Sequence, residues 1–283
     1  MKADLHVHTN ISDGSMSIEE VLKEAKANSV THLGITNHDT VEGLKEAIEA
    51  GEKAGIKIIP GIEISAYDVE TRKRIHILGF NFDLKATNIK RLCDATLEKR
   101  HNNSLWQINE LIKNGYTMDV ENIYARAENS LVIYKQHIMA ELIDKGYSTE
   151  IYSNLYDELF KGEGICAKDI EYIDAVDAVK AIKADGGVAI LAHPGQLDSY
   201  SSIDKLVEAG LDGIELYHED HGLEDHIKVM QYCKKYNLIS TGGSDYHGSY
   251  GSSAKIGQIT CPEKFITVFD NKILSISWKN MYK

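Results

Sequence analysis

Short apolar runs alternate with amphipathic helical stretches in two blocks of this chain, and that rhythm restricts the fold more than any other feature. Lys2 to Thr9 reads as a strand ending in polar residues. Ser17-Ile18-Glu19-Glu20 then matches a capping box, with Val21, Leu22 and Ala25 as the apolar stripe of a helix. A second strand is expected at His32–Thr36, a second helix at Thr40–Ala54 stopped by Gly55, and a third strand at Lys57–Ser65 with Pro60-Gly61 as a bend near its end. Arg74 to Asn81 is a further alternating run. The rhythm returns later with helix Asp174–Ala184, strand Val188–Ala192, helix Ser201–Ala209, strand Gly213–Tyr217, helix Leu223–Tyr236 and strand Leu238–Gly242. Repeated strand–helix units imply an α/β fold of barrel type, with its chemistry at the C-terminal ends of the strands.

Between the blocks, from Ala86 to Ala167, helical periods occur without a strand run: Asn88–His101, Ser104–Asn114, Val120–Ala127, Lys135–Lys145 and Tyr152–Phe160. Gly115, Gly146, Gly162 and Gly164 punctuate them. The expected division is therefore a barrel built from residues 1–85 and 168–283, interrupted by a small all-helical insertion or cap at 86–167.

Composition matters here for what it excludes. Asp and Glu number 43 against 31 Lys and Arg, a formal charge of −12, which argues against broad binding to duplex nucleic acid or anionic membranes. No apolar run approaches the ~20 residues of a membrane span. Met1-Lys2-Ala3-Asp4 shows no apolar signal region, so a cytoplasmic location is expected. The cysteines Cys93, Cys166, Cys233 and Cys261 are scattered and read as buried small hydrophobes rather than as a disulfide or thiolate framework. Twelve histidines beside three prolines are the remaining oddity.

Half of those histidines fall at strand ends. In Asp4-Leu5-His6-Val7-His8-Thr9, residues two apart on a strand share a face, so His6 and His8 present two imidazoles to one point. Asp13, just beyond, adds a hard oxygen ligand. His38 ends the second strand, and Glu63 is a charge flanked by Ile62 and Ile64, costly to bury unless paired or bound to a cation. His76 lies inside an apolar run, His193 follows Ala189-Ile190-Leu191-Ala192, and Asp245 and His247 repeat the spacing of His6 and His8. Any one of these admits a bland reading as a core or surface residue. Taken together, His6, His8, Asp13, His38, Glu63, His76, His193, Asp245 and His247 point to two or three divalent metals at one barrel mouth.

The motifs Asp4-Leu5-His6-Val7-His8-Thr9, Thr36-Asn37-His38-Asp39, Gly61-Ile62-Glu63, His76-Ile77-Leu78-Gly79, Ala192-His193-Pro194 and Gly243-Ser244-Asp245-Tyr246-His247-Gly248 together resemble the PHP (polymerase and histidinol phosphatase) superfamily. The helical stretch resembles the insertion of its stand-alone phosphoesterases, the 3',5'-nucleotide bisphosphatases and 5'–3' exoribonucleases. The resemblance implies a distorted (β/α)7 TIM-like barrel. It implies one metal on His6, His8, Glu63 and Asp245, a second on Glu63, His76 and His193, and a third on Asp13, His38 and His247. It also implies that Arg100 and His137 bind substrate, by their likeness to an Arg-Asn segment and an Arg-Pro-His-Ile-Ala segment of those relatives. This chain has Asn37 where many relatives carry Asp. It also has no arginine in the second segment, where Lys135 is the nearest base.

Two ions bridged by a carboxylate, roughly 3.5–4 Å apart, can share a hydroxide that attacks phosphorus at neutral pH. No Gly-x-Ser-x-Gly elbow or phosphate-binding Gly-x-x-x-x-Gly-Lys-[Ser/Thr] loop is present to suggest another route. The expected activity is metal-dependent hydrolysis of phosphate esters of nucleotides or short 5'-phosphorylated oligonucleotides, with zinc, manganese or iron as the metal. Histidinol phosphate is the alternative substrate, an amidohydrolase-type reaction is a further option, and a non-catalytic metal-binding PHP module is the alternative of another class. Partners are a small phosphorylated substrate or a short oligonucleotide, with no membrane and no stable duplex.

Overall fold

The computed structural model describes residues 1–270; the expected barrel unit beyond that point lies outside the described residues. Chain order begins with β1 (Ala3–Val7), α1 (Ile18–Ala27), β2 (His32–Ile35) and α2 (Leu44–Ala54). Ser17 caps α1 through the capping box with Glu20. The second helix begins four residues later than its pattern suggests, because Thr40–Gly43 is taken up by a turn in which Gly43 has φ 74°.

The third and fourth strands, β3 (Lys57–Asp68) and β4 (Lys73–Phe80), form a hairpin with no helix between them. Pro60-Gly61 marks a change of partner rather than a bend. Up to Pro60, β3 pairs in parallel with β2, and from Gly61 onward it pairs in antiparallel fashion with β4. Proline has no N–H to donate, so the exchange falls where the ladder would be interrupted anyway.

Four helices follow: α3 (Thr87–Lys113), α4 (Val120–Arg126), α5 (Lys135–Asp144) and α6 (Asn154–Phe160). The two helices expected on either side of Asn102-Asn103 are one helix of 27 residues. Weak helix formers are carried through there by tertiary contacts: Ser104 Oγ donates to Ile133 O (2.6 Å) and Gln107 to Cys166 O (3.0 Å). These helices enclose their own apolar core, including Ile108, Leu111, Ile123, Ile138, Leu142 and Phe160, joined by Tyr250 from the barrel side.

The chain then returns through β5 (Ile173–Asp174), α7 (Ala175–Ala184), β6 (Val188–Leu191), α8 (Ile203–Ala209), β7 (Gly213–Tyr217), α9 (Leu223–Tyr236), β8 (Ile239–Gly242) and α10 (Glu263–Asp270). The strand path is β1-β2-β3-β4-β6-β7-β8, with two-residue β5 beside β3. Seven strands thus make the wall as expected, while β5 and α10 were not legible in the pattern. His8 N donates to Tyr246 O (2.9 Å) and Cys261 N to Ala3 O (2.9 Å), bringing the two ends of the sheet together into a nearly closed barrel. Gly243 permits that approach, since a Cβ there would lie 2.4 Å from His6 Cβ. Phe265, Ile266 and Phe269 of α10 pack with Leu5, Ile59, Phe80, Val188 and Ile239 and close the end where the parallel strands begin. The opposite rim stays polar. Among the described residues no helix is long and apolar enough to cross a membrane.

Candidate metal centre

All nine residues expected as ligands lie on that polar rim, six of them buried and His38, His76 and Asp245 partly exposed. The strands explain the placement. Parallel strands bring His8, His38, His193 and Asp245 to the rim just after their C-terminal ends. In antiparallel β4 the same rim is reached near the strand's beginning, so His76 is its fourth residue.

Glu63 lies at the centre, and its two oxygens face different partners. Oε2 is 3.1 Å from His6 Nε2, 3.1 Å from His8 Nε2 and 3.3 Å from His38 Nε2. Oε1 is 2.8 Å from His76 Nδ1 and 3.0 Å from His193 Nε2. Asp245 Oδ1 is 3.3 Å from both His6 Nε2 and His8 Nε2. On the far side Asp13 Oδ2 is 3.4 Å from His247 Nε2 and 3.9 Å from His38 Nε2.

Three groups of side chains could each hold an ion: His6, His8, Glu63 and Asp245; His38, Glu63 and His76; and His8, Asp13, His38 and His247. The first coincides with an expected set. In the second, His38 stands where His193 was expected, although His193 still meets the same Glu63 oxygen. In the third, His8 joins the expected three through Nδ1, 3.4 Å from Asp13 Oδ1.

The donor set fits divalent cations. His6 Nε2, His8 Nε2 and Asp245 Oδ1 are buried and make no hydrogen bond, although each nitrogen stands 3.3 Å from that oxygen. Lone pairs crowded together without bonding one another are aimed at a shared point. Donor atoms about 2.0–2.2 Å from one ion would be separated by roughly that much.

Charge points the same way. Burial alone would raise the Glu63 carboxyl, but the imidazoles of His38, His6 and His76 hold it well below the usual carboxylate range. Asp245 is opposed by burial and held down by His6, by the hydrogen bond from His218 and by His247. Asp13 is likewise held down by His247 and His38. Burial would lower His6, yet Asp245, Glu63 and Glu215 lift it well above the ordinary imidazole value. His38, by contrast, is pushed down to about 4, chiefly by burial. Three ionised carboxylates in a buried pocket call for positive charge, which a proton on His6 or a bound cation can supply.

The backbone is strained at the same place. Asp39 (φ 56°), His193 (φ 21°) and Asp245 (φ 46°) adopt left-handed conformations that side chains other than glycine rarely hold unless the surroundings enforce them.

Other buried residues support these ligands, and of them Glu215 escaped the sequence reading. Like Glu63, Glu215 is a carboxylate on an apolar strand. It is fully buried in β7, 3.2 Å from His6 Nδ1 and accepting from His193 N (3.0 Å). The signal was the same as for Glu63, an acid between Ile214 and Leu216. Asp4 accepts from Ser244 N (2.9 Å) and Gly257 N (2.7 Å), which ties β1 to the loop bearing Asp245. His218 is buried with Nε2 3.4 Å from Asp245 Oδ2. His221 accepts from Gly195 N and so holds the turn after His193. Asn37 Oδ1 accepts from Thr9 N (2.8 Å), Thr9 Oγ1 (3.1 Å) and Ser12 Oγ (3.1 Å), shaping the loop that carries Asp13.

Arg100 and His137 both come from the helical segment. Arg100 Nη2 donates to Asp39 Oδ2 (2.6 Å) and Ser65 Oγ (3.0 Å), while its buried Nε has no partner. His137 is fully buried; its Nδ1 accepts from Tyr134 N (3.1 Å), and its Nε2 has no partner.

The PHP domain family model matches residues 4–190. A phosphoribosyl 1,2-cyclic phosphate 1,2-diphosphodiesterase of Eggerthella lenta is 49% identical over 257 residues, 91% of this chain and 98% of that protein. A 3',5'-nucleoside bisphosphate phosphatase of Chromobacterium violaceum is 28% identical over 265 residues, 90% of each. The crystal structure of a Bifidobacterium adolescentis protein, described as a metal-dependent phosphoesterase, matches with a TM-score of 0.87 at 25% identity, covering 94% of each chain.

Proposed function

The chain belongs to the PHP domain family, and on that premise we propose that it hydrolyses a phosphate ester on a small ribose phosphate. It is a metal-dependent phosphoric ester hydrolase. The first candidate substrate is a phosphoribosyl 1,2-cyclic phosphate and the second a nucleoside 3',5'-bisphosphate. The motifs alone put nucleotides first; the 49% identity to the Eggerthella lenta enzyme supports the reversed order. Both candidates carry a reacting phosphate ester and another phosphate on one ribose.

The observation that carries the reading is the division of Glu63, with Oε2 toward His6 and His8 and Oε1 toward His76 and His193. We assign Glu63 as a bridging ligand. His6, His8 and Asp245 complete one position, His76 and His193 contribute to a second, and Asp13, His38 and His247 form a third. Divalent cations in such a site supply a water that ionises near pH 7 and positive charge for the phosphoryl oxygens. The chain's own part is to hold the carboxylates ionised and the imidazoles fixed, so that little rearranges as charge moves to the leaving oxygen.

Arg100 Nε and His137 Nε2 are buried donors without protein partners, which supports their role toward the substrate's other phosphate. Lys135, pushed down to about 8 by burial with Arg74 and Arg100 nearby, adds charge on the same side. Residues 86–167 act in this reading as the cap that sets specificity, on a barrel formed by the rest.

The test is phosphate release or ring opening with ribose 5-phosphate 1,2-cyclic phosphate, adenosine 3',5'-bisphosphate and histidinol phosphate, on protein stripped with chelator and reloaded with Mn²⁺ or Zn²⁺. Activity on the first two, absent from stripped protein, is expected. Glu63→Gln should lower turnover at least about a hundredfold, since several kcal/mol of charge stabilisation depend on the bridge. Full activity after stripping, or Glu63→Gln within a few-fold of wild type, would refute the reading.

A further inference from the structure

The helical segment reaches the candidate metal centre at the start of α5, where Gln136 and Tyr134 have no role in the reading above. Asp13 uses both oxygens: Ser12 Oγ donates to Oδ1 (3.1 Å), and Gln136 Nε2, from the first turn of α5, donates to Oδ2 (3.0 Å). Gln136 Nε2 also donates to Tyr152 OH (3.1 Å), so both hydrogens of its amide are spoken for. The amide orientation follows from chemistry. A carboxylate oxygen accepts and an amide nitrogen donates, so the nitrogen of the amide faces Asp13.

The residue that precedes α5 touches the same group. Tyr134 OH donates to His38 O (2.9 Å), at the backbone of a second member. The third loop is tied in as well. Tyr250 N donates to His247 O, and the Tyr250 ring packs edge-on against His137 at 5.9 Å, inside the helical core. The start of α5 therefore contacts Asp13, the His38 backbone and the His247 loop. Among the described residues no hydrogen bond from α5 reaches His6, Glu63, His193 or Asp245.

We propose that Gln136 is a positioning residue for one metal position alone, the one formed by His8, Asp13, His38 and His247. An ionised carboxylate that binds an ion through one face needs its remaining lone pairs fixed, and partners of that kind typically govern affinity by 10–100-fold. Ser12 is contributed by the barrel and Gln136 by the helices, so the helical segment controls how well this position fills while leaving the Glu63 positions to the barrel. The inference rests on the cluster being a metal centre.

Metal uptake tests it without substrate. Chelator-stripped protein is titrated with Mn²⁺ or Zn²⁺ in competition with a chromophoric chelator, and the stepwise affinities are compared for wild type, Gln136→Leu, Gln136→Asn and Tyr152→Phe. Gln136→Asn keeps the amide but withdraws it by one methylene, so it covers the case in which Gln136→Leu fails to fold. One equivalent should weaken about 10–100-fold in both Gln136 variants, the others should be unchanged, and Tyr152→Phe, which keeps the Asp13 contact, should stay near wild type. If every equivalent binds as in wild type, or all weaken together, Gln136 is no selective positioner. If stripped wild-type protein takes up no metal, the metal-centre reading itself falls, and this inference with it.

Discussion

At the scale of single residues, Glu63 and Glu215 are both acids buried within apolar strands at the candidate centre. Each sits between two aliphatic residues on a strand. Glu63 stood out because its neighbours in sequence formed a recognisable motif, whereas Glu215 only supports others: it touches His6 Nδ1 and His193 N and faces no open position. A residue that acts through another leaves no spacing pattern. When His6 gives up its extra proton to a bound cation, Glu215 beside Nδ1 favours keeping the remaining proton there and leaves Nε2 toward Glu63 and Asp245. Glu215→Gln should lower metal affinity by about 10–100-fold, because an amide can present N–H as readily as C=O and no longer fixes that tautomer. Glu215→Asp, one methylene shorter, should also lose affinity while keeping the charge. Isothermal titration of stripped protein with Zn²⁺ measures both. Affinities equal to wild type would reduce Glu215 to a packing residue.

At the scale of elements, the strands and barrel helices were legible because each carries its own period and its own stops. The capping box at Ser17, the run Gly213–Tyr217 and the helix Leu223–Tyr236 fall where the pattern puts them. What escaped depended on distant partners. The β3–β4 hairpin makes β4 antiparallel, so His76, expected among the ligands, reaches the rim near the start of its strand and not at its end. The start of α3 is another case. Ala86 there is left-handed and offers no cap, and the helix is capped from elsewhere in the chain. Asp185, at the end of α7, accepts from Asn88 N (2.9 Å), Ile89 N (2.9 Å) and Asn88 Nδ2 (2.7 Å). This one carboxylate satisfies orphan N–H groups and faces the positive end of the helix that carries Arg100. Asp185→Ala should therefore cost about 1–2 kcal/mol, the range for a lost N-cap, read as a lower midpoint in urea at unchanged slope. Asp185→Asn, which keeps one acceptor oxygen, should fall between the two. An unchanged midpoint for Asp185→Ala would mean that α3 is held by its packing and not by this cap.

At the scale of the whole molecule, the candidate ligands draw on almost every strand of the wall. The first strand and its loop carry His6, His8 and Asp13; β2, β3, β4, β6 and β8 carry one or two each, and β7 adds the supporting Glu215. The rim is thus stapled or loosened as a unit, while α10 and its apolar neighbours close the other end without regard to metal. Three carboxylates and the imidazoles around them would repel or remain poorly satisfied at that rim without added positive charge, in a chain whose net charge is already −12. Metal should accordingly stabilise the native state by mass action. One ion at a hundred times its dissociation constant contributes about 2.7 kcal/mol, and for a chain of this size that corresponds to roughly 5–10 °C in Tm. Calorimetry of stripped protein should give the lower Tm, rising with the logarithm of Mn²⁺ or Zn²⁺ concentration once that exceeds the dissociation constant, as linkage requires. Mg²⁺, which prefers oxygen ligands and near-ideal octahedral geometry, should move Tm much less with this imidazole-rich set. A Tm independent of metal would contradict the placement of the ligands across the wall, because no ion could bind this many strands and leave their unfolding untouched.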